Sequence, residues 1–131
     1  MDKFIRSALL LGEENINKLT TKTVMIFGCG GVGSYVIEGL VRTGIKNFVL
    51  IDNDEVSISN INRQIIATTK TIGQLKTHVC KERILSINPD SIVNTYEQFI
   101  LPETINSIDF NNTEHCKTAG CDSITSSICD G

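Results

Sequence analysis

A chain of 131 residues is about one domain long, and 40% hydrophobic with 21% charged residues and only 2 prolines excludes a disordered or fibrous chain. No stretch approaches the roughly 20 apolar residues of a membrane helix, and the short apolar run in MDKFIRSALLLGEEN turns acidic too soon for a secretory leader, so the expected address is the cytoplasm. A formal net charge of -3 gives no overall attraction to nucleic acid, and no local basic patch is visible along the sequence.

In chain order, Ile5, Leu9, Leu10, Ile16 and Leu19 recur at roughly helical spacing, which predicts one or two short helices interrupted near Gly12. Residues 23–27, TVMIF, form a short run of strand formers. After a glycine cluster, residues 34–43 carry a helical apolar period closed by Gly44 in the manner of a C-cap. Residues 48–51 predict a second buried strand, which completes a β-α-β unit of about 30 residues. Residues 52–70 then make a long polar connection rich in Asn and Ser, and long ordered loops are often functional. Leu75, Val79, Ile84 and Ile87 predict a helix over residues 72–87, stopped by Asn88 and Pro89. Residues 92–96 give a third strand, and residues 102–110 one more short helix. The expected fold is thus α/β, a doubly wound parallel sheet of about three strands in β-α-β-α-β order, preceded by N-terminal helices. Residues 1–110 form the expected nucleotide-binding half domain. Residues 111–131 lack an amphipathic period and read as an unstructured or atypical tail.

Gly28, Gly30 and Gly33 fit G-x-G-x-x-G between a strand and a helix. The first allows a tight turn, the second lets backbone approach phosphate, and the third lets helix and sheet pack closely. The helix N-terminus then offers free N-H groups and partial positive charge to an anion. Asp52 lies 19 residues after Gly33 (52 minus 33) at the end of the second strand, where a carboxylate accepts hydrogen bonds from ribose hydroxyls. This motif alone does not choose between nicotinamide, flavin and ATP.

The polar connection narrows the choice. Asn60 and Arg63 stand in SNINRQ, and Lys76 follows 13 residues later (76 minus 63) in GQLK. A triphosphate has a β,γ portion beyond the reach of the glycine loop. Departure of pyrophosphate needs its charge neutralised; arginine can grip such oxygens bidentately and lysine supplies a point charge. A nicotinamide oxidoreductase leaves these three residues unexplained.

With these residues in place, GCGGVGS, IDNDEVSISNINRQ and TIGQLK resemble the ATP-binding signature of the ubiquitin-activating-like (ThiF/MoeB/HesA) superfamily. Within it, RSALLLGEENINKL, GGVGSYVIEGLVRTGI and NINRQI are most similar to the tRNA threonylcarbamoyladenosine dehydratases, over about residues 4–110. The resemblance implies a Rossmann-like fold that binds ATP with Mg2+. It implies that Gly28, Gly30, Gly31, Gly33 and Ser34 belong to the phosphate loop. Asp52 would then lie on the ribose, Asp54 would also bind the cofactor, and Asn60, Arg63 and Lys76 would surround the phosphates. Arg63, Lys76 and Arg6 would be the catalytic residues, Arg6 reaching across a homodimer interface into the partner's ATP site. It further implies tRNA as substrate: the carboxylate of its threonylcarbamoyladenosine is adenylated and closes into a ring, releasing AMP and pyrophosphate.

The family continues with a fourth strand and an aspartate motif that helps hold magnesium, and NSIDFNNTEHCKTAGCDSITSSICDG resembles neither. The expectation is a truncated chain of uncertain activity on its own, with its first strand left at a sheet edge. An adenylyltransferase acting on a ubiquitin-like sulfur carrier protein and a noncatalytic nucleotide-binding relic are the alternatives. Cys29, Cys80, Cys116, Cys121 and Cys129 contain no C-x-x-C pair, so they read as reduced thiols rather than metal ligands. Cys29 and Cys80 are expected to pack, and His78 and His115 to lie at the surface.

Overall fold

The computed structural model describes residues 3–98 and the backbone of Glu114–Cys116. Two short helices come first, α1 (Ile5–Leu11) and α2 (Glu13–Thr21). Gly12 separates them at φ 85, a left-handed conformation that glycine adopts without a Cβ clash. Strand β1 (Thr23–Phe27) leads into α3 (Gly31–Thr43) and β2 (Asn47–Ile51), and α4 (Lys76–Ile87) leads into β3 (Ile92–Tyr96). The β1 and β3 boundaries coincide with the sequence expectation. Gly44 closes α3 in the left-handed conformation, its N-H bonding the Leu40 carbonyl.

Helix α3 starts three residues before the apolar period that announces it, because its first turn holds Gly31 and Gly33, which carry no apolar side chain. Helix α4 starts four residues later than expected. Glu55 and Leu75 form an antiparallel bridge, so residues 72–75 are held extended or in a turn, with Gly73 at φ 85.

Strands β1, β2 and β3 are parallel, paired in register from Thr23 opposite Asn47 and from Asn47 opposite Ile92. Such strands expect cover on both faces, and Val24 to Phe27 and Phe48 to Ile51 are all buried. Ile37 and Val41 of α3, with Val79 and Ile84 of α4, pack on one face of the sheet against Val24, Ile26, Phe48, Leu50 and Val93. Val56, Ile66 and Ala67 join that core from the long connection, which is therefore packed rather than merely solvated.

One expectation is corrected here. Strand β1 is not an edge, since β4 (Glu114–Cys116) pairs with it in parallel, Val24 opposite Glu114 and Ile26 opposite Cys116, giving the order β3-β2-β1-β4. Three backbone pairings suffice without an apolar period, which is why the segment showed no strand signal. The expected helix over residues 102–110 and the rest of the 111–131 tail lie outside the described residues.

Candidate functional site

The C-terminal ends of β1 and β2 create the site. At the end of β1 the chain turns at Gly28, whose φ of 93 needs glycine, and the Gly28 N-H bonds the Ile51 carbonyl at 2.8 Å. Beside it, one oxygen of Asp52 accepts the Cys29 N-H at 2.8 Å and the other accepts the Asp54 N-H at 2.8 Å. The ribose candidate thus also pins the glycine loop to the end of β2. Each oxygen keeps a second lone pair for a ligand hydroxyl.

Gly30 is the N-cap of α3 and offers no side-chain cap, so the first-turn N-H groups remain available to an anion. A Cβ on Gly31 would meet nothing within 4 Å, whereas one on Gly30 would come within 3.4 Å of the Gln64 amide nitrogen. Gly31 therefore borders open space of the kind a phosphate needs. Gly33 is buried in α3, as its packing role requires. Ser34 is 1% exposed and its hydroxyl donates to the Gly31 carbonyl at 3.4 Å. It braces the helix from within.

The long connection folds back on itself. Val56 N-H donates to the Gln74 carbonyl and Gly73 N-H to the Val56 carbonyl, both at 2.8 Å, and Lys76 N-H donates to the Asp54 carbonyl at 3.0 Å. These bonds seat Lys76 at the start of α4, 6% exposed, with its ammonium 3.5 Å from an Asp54 carboxylate oxygen. Asn60 is buried and caps the short 3-10 turn Ile58–Asn60, accepting the Ser57 N-H at 2.9 Å.

Two of the expected site residues stand apart. Arg63 is exposed and folds onto its own turn, donating to the Ser59 carbonyl at 3.1 Å and the Asn62 side chain at 2.9 Å. Arg6 is exposed on α1, a helix with no buried residue.

Sequence reasoning missed Gln64. It is 7% exposed, lies against Gly30, and its carbonyl oxygen is buried with no hydrogen-bond partner. A buried acceptor left unpaired is destabilising, and a Gln64 whose amide nitrogen borders Gly30 brings that acceptor into the neighbourhood of the glycine loop. Only its place beside Arg63 in NINRQ hinted at it.

Cys29 and Cys80 pack as expected, while the side chains of Cys116, Cys121 and Cys129 lie outside the described residues. Cys29 and Cys80 are both fully buried, and the Cys29 thiol is held well above its ordinary pKa by its hydrogen bond to Cys80 and then by burial. Cys29 stays neutral, unsuited to nucleophilic attack. His78 is at the surface but engaged, 3.1 Å from Glu97. Among the described residues no group of three or more His, Cys, Asp or Glu is placed to hold a metal ion.

A parallel sheet in this order, a glycine turn into a helix, and an acid at the end of β2 define a Rossmann-like nucleotide-binding fold. The chain matches the ThiF family over residues 4–129, and it belongs to that family. It is 44% identical over 99 residues to the tRNA threonylcarbamoyladenosine dehydratase of Haemophilus influenzae, covering 76% of this chain and 37% of that protein. With the dehydratase of Bacillus subtilis it shares 40% over 104 residues, 79% of this chain and 41% of that protein. The crystal structure of the Escherichia coli dehydratase in complex with ATP superposes with a TM-score of 0.88 at 32% identity, covering 96% of this chain and 52% of that one. The chain thus spans about two fifths of the length of these curated relatives.

Proposed function

We propose that this chain is the ATP-binding portion of a tRNA threonylcarbamoyladenosine dehydratase, a protein that activates a carboxylate by adenylation. The observation that carries the reading is Lys76, an ammonium buried at the start of α4 beside Asp54, a point charge for which a dinucleotide has no third phosphate. ATP supplies the adenylyl group that turns a poor electrophile into a mixed anhydride. The N-terminus of α3 holds phosphate oxygens, and Lys76 offsets charge on the departing pyrophosphate. Asp52 fixes the ribose while keeping the loop in place. Asn60 spends its carbonyl on Ser57 and retains an amide donor. Arg63 leaves its carbonyl partner to grip the terminal phosphates bidentately. Arg6 acts in the partner's site of a homodimer, and Mg2+ would enter with the triphosphate, since no described group of His, Cys, Asp or Glu is placed to hold it alone. Ring closure by a nitrogen of the same nucleoside needs no enzyme nucleophile, because effective molarity favours it.

The test is ATP-pyrophosphate exchange with threonylcarbamoyl-modified tRNA or with a sulfur carrier protein. Exchange stimulated by the modified tRNA is the expected result. Exchange stimulated only by the carrier protein would replace the substrate, and silence with both, despite ATP binding, would leave a nucleotide-binding relic.

A further inference from the structure

The far ends of α3 and α4 frame a pocket of about 380 Å³ lined by Lys3, Phe4, Arg42, Arg83, Ser86 and Ile87. We propose that this pocket is an RNA-docking site that seats one phosphorylated nucleotide of the RNA substrate, away from the reacting nucleoside. The proposal rests on the tRNA reading above and adds a contact surface to it.

The charge is the first argument. Among the described residues three cationic side chains line the pocket and no carboxylate does, in a chain whose net charge is -3. Glu38 accepts from Arg42 at 3.0 Å and from Arg83 at 2.6 Å and 2.9 Å. One carboxylate thus orients two guanidinium groups while cancelling one of their charges. Lys3 is pinned by the Asn88 side chain at 2.8 Å, and Asn88 is itself buried. Pre-oriented guanidinium groups match phosphate geometry with N-H donors to spare.

Composition and size are the second. Phe4 and Ile87 give an apolar wall beside the cations, and unstacked RNA bases settle on aromatic and apolar surfaces while their phosphates meet Arg and Lys. The volume lies in the range of small-ligand pockets, large enough for one nucleotide.

Position is the third. Helix α3 runs 13 residues from the glycine loop to Thr43, roughly 18 Å at 1.5 Å per residue, and Arg42 is at its far end. The ATP site cannot reach this pocket, whereas a polynucleotide can span both. Lys3, Arg42 and Arg83 are distant in sequence, so only folding assembles the patch.

The experiment is fluorescence anisotropy of the full chain with tRNA and with a single-stranded RNA oligonucleotide across a salt series, for the wild type, the Lys3→Gln/Arg42→Gln double variant and a Lys18→Gln/Lys22→Gln control of equal charge at α2. Thermal melts and ATP titrations of each variant accompany it. The double variant is expected to bind RNA about tenfold more weakly, with a salt slope shallower by about 1 to 2 and ATP affinity unchanged. The Lys18→Gln/Lys22→Gln control should stay close to wild type. RNA affinity and slope in the double variant equal to those of the control would overturn the proposal, and so would a wild-type chain that binds inorganic phosphate but no RNA. Failure to bind ATP at all would instead strike the proposed function, leaving the RNA comparison readable by itself.

Discussion

Lys76 is a residue whose removal separates binding from folding. Replacing it with methionine keeps the buried stem and deletes the charge facing Asp54. ATP affinity should fall by about 1.5 to 3 kcal/mol, the range for hydrogen bonds to charged groups, while AMP binding changes little; calorimetry with both nucleotides checks this. Arg63→Ala should show the same ATP selectivity, and because Arg63 is exposed its melting temperature should not move. Equal weakening of AMP would remove both residues from the terminal phosphates. Glu38 gives a pH prediction. The hydrogen bond from Arg83, aided by Arg42, holds its carboxyl below the ordinary glutamate range. A depressed pKa stabilises the fold above the unfolded value and is lost as pH falls through the folded one. Urea midpoints should therefore drop on acidification from neutral pH to below the ordinary glutamate range, and Glu38→Gln should flatten that drop while lowering the neutral midpoint.

Among the elements, the start of α3 is where stability and binding are expected to conflict. Gly31→Ala places a methyl where nothing lies within 4 Å, and alanine in a helix is favoured over glycine by roughly 0.5 to 1 kcal/mol. The unliganded protein should melt higher and bind ATP less tightly, because the methyl occupies space meant for phosphate; differential scanning fluorimetry with and without ATP reads both effects. A variant that gains stability and keeps full affinity would place the phosphates elsewhere. The same element shows what the sequence discloses. G-x-G-x-x-G announces the turn, since Gly28 and Gly33 each answer a steric demand that only a small residue meets. The Gln64 contact with Gly30 was hidden, because it joins positions 34 residues apart (64 minus 30) through the fold of a loop with no period. Lys76 was legible as a type and a spacing, but its burial comes from the Glu55 to Leu75 bridge, a long-range pairing without local signal.

For the whole molecule, β4 decides the state of the sheet. Its three residues pair with Val24 to Ile26, shielding an edge that would otherwise offer unpaired N-H and C=O groups to another chain. A chain ending at residue 113 should melt lower and self-associate at concentrations where the 131-residue chain is less aggregated, as light scattering after size exclusion would show. Identical behaviour of the two would mean that β4 contributes nothing to the edge. The sequence suggested a tail at this place because apolar periodicity reports side-chain burial, whereas a ladder of backbone bonds is indifferent to which residues form it.

The bridge that seats Lys76 also determines how the protein can vary. Because residues 55 and 75 are clasped, the two ends of the intervening segment are held together, while Val56, Ile66 and Ala67 anchor it in the core. Its exposed crest near Thr69, beyond Asn60, Arg63 and Gln64, can then lengthen without displacing the lysine, each doubling of a flexible loop adding only about 0.6 kcal/mol of closure entropy. Insertions at that crest are therefore the changes through which descendants of this chain could acquire new acceptors while inheriting an unaltered grip on nucleotide.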